Sequence, residues 1–203
     1  MARQGKPWDL MAWGFTSTFE DMAWTHKSPV QLCREAAMVL ALGGGFQAYF
    51  TQTRTGRPKP AQLQAMIAAA EFCRARQPFC HRGEPVPQIG ILYPTEGFYA
   101  RIKDRCFGSN NDRVDFIRGM LLGLLDNQYS VELLANHQLT GRMQEYPLIV
   151  VPEWDTLSPA LLSELKAYVY NGGKLLVTGQ AVKHFEEELQ VCLGEANEKT
   201  AWV

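Results

Sequence analysis

No apolar run in this chain approaches the roughly 20 residues that a membrane-spanning helix needs, so no transmembrane segment is expected. Charge of one sign is also lacking. The formal net charge is -1 and Lys and Arg are scattered, which leaves no field to hold nucleic acid or an anionic membrane. The five cysteines are odd in number and never fall as CxxC, which argues against a disulfide framework and against a zinc site. Histidine is scarce, and His81, His137 and His184 have no ligand spacing to one another, so no metal is expected. No phosphate loop is present either. Gly43-Gly44-Gly45 follows an expected helix and precedes an expected strand, the reverse of a phosphate cradle, so no nucleotide cofactor is expected. The opening MARQGKPWD lacks the apolar core of a signal peptide. With reduced cysteines, that points to a cytoplasmic setting unless a leader lies upstream.

What is present is an ordinary globular composition, 46% hydrophobic and 20% charged, in a chain long enough for one or two cores. The organising stretch is 146–179. An unbroken apolar run at 147–152 suits a strand buried on both faces of a parallel sheet. Ser158 and Pro159 then open a helix striped by Leu161, Leu162, Leu165, Tyr168 and Val169. Asn171-Gly172-Gly173 stops it, and 174–179 reads as a second buried strand, completing a right-handed βαβ unit.

Taken in order, the chain suggests a strand at 9–13, a loop at 16–29, and a helix from Ser28-Pro29 carrying Leu32, Ala36, Val39 and Leu40. A strand at 46–50 follows, then a polar exit to Pro60 and a helix to Gln77 stopped by Pro78. Residues 81–87 read as a linker. Beyond it come a strand at 88–93, a polar loop to Asn111, and a helix capped by Asp112 with Phe116, Met120, Leu121, Leu124 and Leu125. A strand at 130–134 precedes the organising unit, and 181–193 reads as an amphipathic helix. The fold class is therefore α/β, with residues 88–203 ordered as a doubly wound parallel sheet.

Trp13-Gly14-Phe15, Trp24, Lys27-Ser28 with Gln31-Leu32, and 41–45 followed by an aromatic strand together resemble the end of the catalytic barrel in alpha-L-fucosidase-like glycoside hydrolases. Residues 88–180 resemble the amidotransferase-like, flavodoxin-like domain that follows the barrel in beta-galactosidases, often called the trimerisation domain. Pro152, Leu157-Ser158-Pro159 and Gly172-Gly173 carry that likeness. The resemblance implies that residues 1–80 are the last βα units of a TIM-type barrel, joined by the 81–87 linker to a second domain at 88–203. It also implies a carbohydrate substrate, a homo-oligomer, and a chain that is the C-terminal part of a larger enzyme.

A retaining glycosidase needs two carboxyl groups about 5 Å apart. Glu20, next to Asp21, is the one weak catalytic candidate, and the resemblance places the nucleophile upstream, so this chain alone is expected to be inactive. Trp13, Trp24 and His26 are the sugar-contact candidates, since indole faces stack on pyranose rings and imidazole offers hydrogen bonds to hydroxyls. The competing reading makes Trp13 core and Trp24 a loop anchor. Lys27 suits support of the helix start. In the second half the expected strand ends, Thr178-Gly179-Gln180 and Glu153-Trp154-Asp155, supply no nucleophile, and Cys106 and Cys192 read as buried structural thiols. The rival to a hydrolase fragment is a self-contained Rossmann-like module that holds a small ligand near Tyr93-Pro94-Thr95 and Pro152-Glu153-Trp154, or one that serves assembly alone.

Overall fold

The structure, a computed structural model, describes residues 6–17, 24–84, 86, 88–102, 111–192 and 194. The chain divides into two compact units, Met1–Pro85 and Val86–Val203. Both are mixed α/β with parallel strand pairs.

In the first unit, β1 (Asp9–Trp13) pairs in parallel with β4 (Gly45–Tyr49), Asp9 opposite Gly45 and Trp13 opposite Tyr49. The crossover between them is helix α1 (Pro29–Ala41), which starts as its sequence dictates: Ser28 Oγ accepts from the Gln31 backbone N–H at 3.2 Å and Pro29 holds the first position. Gly43 ends it at φ +76°, a conformation that penalises a side chain, and a Cβ there would stand 2.1 Å from the Gly83 carbonyl oxygen. The segment expected to be a loop instead holds an antiparallel pair, β2 (Phe15–Ser17) and β3 (Trp24–His26). A three-residue strand is too short to show alternation. Its anchor is the buried Phe15, while Lys27 N–H donates to the Gly14 carbonyl at 3.0 Å.

Helix α2 (Pro60–Cys80) packs on α1 through Leu32, Ala65 and Ala69, with Phe50 against them. It runs past Pro78, which was expected to stop it. The proline cannot donate to the Arg74 carbonyl and crowds it, yet one more turn closes beyond it, with His81 N–H on the Gln77 carbonyl at 3.0 Å.

In the second unit, β5 (Ile89–Leu92), β6 (Val131–Leu134), β7 (Leu148–Pro152) and β8 (Lys174–Thr178) form one all-parallel sheet in the order β6-β5-β7-β8. The two inner strands are buried along nearly their whole length, as an unbroken apolar run requires. Strand β8 departs from the expectation of full burial. It is the sheet's edge, and Leu176 is 42% exposed.

Helix α6 (Pro159–Tyr170) crosses from β7 to β8 and is capped by Ser158, whose Oγ accepts from Leu161 N–H. Its Tyr168 hydroxyl donates to the Tyr146 carbonyl at 2.8 Å and accepts from Lys174 N–H at 3.1 Å. The ring lies against Gly173, where a Cβ would come within 2.3 Å of it.

Three expectations for this unit are corrected. The segment read as a polar loop after β5 contains α3 (Thr95–Ile102), with Glu96 in its first turn and Arg101 in its last, both suited to the helix dipole. Helix α4 (Asn111–Asp126) breaks its helical geometry at Val114, while α5 (Asn136–Leu139) falls in the stretch to Glu145 read as short-helical or irregular and agrees with that reading. In place of one helix over 181–193 the chain forms a 3₁₀ turn, Gly179–His184, and a short helix α7 (Glu186–Leu189), because only Ala181 and Phe185 find burial there. Cys192 is exposed rather than buried, since the chain has left the core at that point, and Cys106 lies outside the described residues. No helix among the described residues is long and apolar enough to cross a membrane.

Candidate functional site

The parallel register of β1 and β4 brings Trp13 and Tyr49 side by side at the carboxyl ends of the two strands. Chain direction makes this the end where βα units collect functional side chains. Between them sits Phe15, 5% exposed, its ring centroid 5.4 Å from that of Trp13 and 5.9 Å from that of Tyr49. The outer two rings remain open: Trp13 is 51% exposed and Tyr49 48%. Trp13 is therefore not a core residue.

These three rings, with His26, Thr51 and Lys59, line a cleft of about 560 Å³. That volume lies within the range of small-ligand sites. His26 arrives by pairing with Phe15 across β2 and β3, Thr51 lies just beyond β4, and Lys59 immediately precedes α2. Lys59 Nζ donates to Thr51 Oγ1 at 3.0 Å. Behind them Gln62, 1% exposed, places its Nε2 3.1 Å from His26 Nδ1 and 3.4 Å from Thr51 Oγ1. The Gln62 Oε1 is buried without a hydrogen-bond partner among the described residues. Such an atom costs about 1–3 kcal/mol.

Among the described residues lining this cleft none is a carboxylate. Lys27 is not in it. Its ammonium sits 2.8 Å from Glu35 Oε1 on α1, with both side chains partly buried, so it ties the chain entering the helix to the helix itself. Trp24 lies on β3 in register with Ser17. Glu20 and Asp21 lie outside the described residues. Of the sugar-contact candidates, then, the structure brings Trp13 and His26 to one cleft.

Tyr49, Thr51, Lys59 and Gln62 were missed. For Gln62 a signal existed: it shares the stripe of Ala65 and Ala69 at helical spacing, a polar side chain on an otherwise apolar face.

The second unit offers a different arrangement at its own strand ends. Trp154, fully buried, donates through Nε1 to the Leu92 carbonyl oxygen at 2.8 Å. The rings of Tyr93 and Phe116 meet it edge-on at 5.6 and 5.1 Å. The Arg101 guanidinium lies 4.5 Å from the Phe116 ring centre, donates to the Glu153 carbonyl, and reaches Asp155 at 3.4 Å. Strand order reverses between β5 and β7, where open sheets of this kind take ligands. Here the protein's own indole fills that place. Glu153 holds φ 46° there, and its carboxylate accepts from Gln180 N–H at 3.3 Å. Among the described residues no group of His, Cys, Asp and Glu is gathered that could hold a metal.

No protein-family model and no curated protein matches the chain. Solved structures do share its fold. Alpha-L-fucosidase isoenzyme 2 from Paenibacillus thiaminolyticus superposes with a TM-score of 0.68 at 19% identity, covering 88% of this chain and 26% of that one. A GH42 beta-galactosidase from G. stearothermophilus, in a catalytic mutant, gives 0.67 at 16% identity over 86% of this chain and 27% of its own. The beta-galactosidase from Rahnella sp. R3 gives 0.64 at 16%, over 88% and 28%. These structural neighbours are glycoside hydrolases, and at such identities the likeness is one of fold. This chain spans little more than a quarter of their length.

Proposed function

We propose that this chain is the closing part of a carbohydrate-active glycoside hydrolase, in which the first unit supplies the last two βα units of a TIM-type barrel. The second unit is then a flavodoxin-like, amidotransferase-like domain without a nucleophile, serving packing and homo-oligomer assembly. The observation that carries this reading is the state of the β1–β4 pair. Parallel strands are ordinarily buried on both faces inside larger sheets. Among the described residues these two pair only with each other, and Leu10 and Met11 are 50% and 52% exposed.

Beside them lies a second cleft, of about 680 Å³, lined by Leu10, Met11, Trp13, Met38 and Phe46 among others. Lys27, Glu35 and Thr16 also line it, and its apolar part, beside a strand edge that is unpaired among the described residues, suits a preceding strand and helix of the same barrel. Sugar contact falls to Trp13, Trp24 and His26, and the catalytic carboxylates to segments upstream, with Glu20 the weak alternative. The likeness of fold supports the carbohydrate assignment, since the neighbours carry fucosidase and galactosidase names. The filled switch point at Trp154 weighs against a small-ligand role for the second unit.

The test is to add fluorogenic fucosides and galactosides to the purified chain, alone and with the upstream part of its reading frame co-expressed. Turnover is expected only with the co-expressed part, and turnover by the chain alone would overturn the reading.

A further inference from the structure

We infer that Gln62 is a positioning residue that holds the His26 imidazole with Nδ1 as acceptor, so that its Nε2–H serves the cleft as a donor to a hydroxyl oxygen of a neutral sugar. The ligand class rests on the reading above. The positioning does not.

The argument is a hydrogen-bond account. Gln62 Nε2 has two hydrogens and finds two acceptors, His26 Nδ1 at 3.1 Å and Thr51 Oγ1 at 3.4 Å, leaving one orphan, Oε1. Turning the amide over would set Oε1 against His26 and Thr51 and leave an NH₂ with both hydrogens unmet in the same buried position. One orphan acceptor costs less than two orphan donors, so the first arrangement prevails. It requires an unprotonated Nδ1, which puts the hydrogen of the neutral ring on Nε2.

Thr51 Oγ1 accepts from Gln62 and from Lys59 Nζ, and its own hydrogen meets no acceptor among the described residues. His26, Thr51 and Lys59 all line the cleft. It therefore displays donors, with no lining carboxylate among the described residues, beside the half-open rings of Trp13 and Tyr49. Hydroxyl oxygens accept from donors while a pyranose C–H face stacks on an aromatic ring, and one neutral sugar supplies both. A Leu or Met at position 62 would bury as well without an orphan oxygen. An amide at this buried position is explained by what it does to His26.

The test uses the intact chain labelled with ¹⁵N-histidine, with His26→Gln to assign the ring. Long-range ¹H–¹⁵N spectra are expected to show a fixed Nε2–H tautomer in the wild type. Gln62→Met should let the two tautomers average. Gln62→Glu, of nearly the same shape but offering only acceptors, should move the proton to Nδ1 or charge the ring. A merely structural role for Gln62 would leave the tautomer unmoved in both variants.

L-fucose or D-galactose is expected to shift the His26 Nε2 signal and change tryptophan fluorescence, with affinity about tenfold weaker in Gln62→Met, the worth of one hydrogen bond. An averaged or Nδ1–H ring in the wild type overturns the positioning inference and leaves the barrel reading standing. A fixed Nε2–H ring that neither sugar shifts overturns the ligand assignment. Turnover by the chain alone would sink the barrel reading without touching the tautomer.

Discussion

The Trp154 indole nitrogen donates to the Leu92 carbonyl oxygen at 2.8 Å, joining the carboxyl ends of β7 and β5 through a side chain that no solvent reaches. A ladder bond cannot do this, because the strands have already parted. The indole closes the gap that a ligand occupies in open sheets of similar order.

Trp154→Phe keeps most of the ring's packing and leaves the Leu92 carbonyl buried without that donor, so a loss of about 1–3 kcal/mol is expected. Trp154→Ala also empties the space between Tyr93 and Phe116, and about 3–5 kcal/mol is expected. Urea unfolding followed by circular dichroism measures both. Equal losses in the two variants would show that the hydrogen bond, not the filled volume, dominates.

A second lock joins α6 to the start of β8. Removing the Tyr168 hydroxyl in Tyr168→Phe takes its bonds from both the Tyr146 carbonyl and the Lys174 N–H, for an expected loss of about 1–3 kcal/mol. Gly173→Ala drives a methyl group to within 2.3 Å of that ring, and a similar loss is expected from overpacking. The double variant should lose less than the sum, because both act on one contact. Additive losses in thermal melts would contradict this coupling.

His184 makes stability depend on acid. Burial, with Lys183 beside it, holds the imidazole below its ordinary 6.5, outweighing the Asp155 carbonyl and carboxylate that act the other way. A group whose folded pKa is depressed binds protons more readily when unfolded. Its contribution is thus complete above the unfolded value and is lost as pH falls below about 6.5 toward the folded one. His184→Gln should flatten that part of the stability profile. Denaturant midpoints measured from neutral pH down to about pH 5 check this, and an unchanged slope would exclude His184 as its source.

Much of the local structure could be read from the chain, and the reasons are specific. Ser28-Pro29 and Ser158-Pro159 start their helices because cap and ring act within one turn. The run at 147–152 suits a strand buried on both faces better than a half-exposed one, and it lies between β5 and β8. Three of the failures share one cause. Strands β2 and β3 and helix α3 are short, and their formation rests on contacts with distant residues, which periodicity over three to eight positions does not register. Pro78 misled because proline strains the turn before it, at the Arg74 carbonyl, and does not forbid the residues after it from staying helical for one more turn.

At the candidate site Trp13 and His26 announced themselves by type, whereas Tyr49, Thr51 and Lys59 did not, and Gln62 showed only as a polar side chain on an apolar helical stripe. The sequence by itself determined the capped helices α1 and α6 and the inner strands β5 and β7, since caps, glycine stops and apolar runs act over a few residues. Only the tertiary structure decided that Trp13 stands open beside Tyr49, that His26 meets Gln62 from 36 positions away, and that Trp154 fills the second unit's crevice. Those are matters of register and packing between elements remote in the chain, and no local preference encodes them.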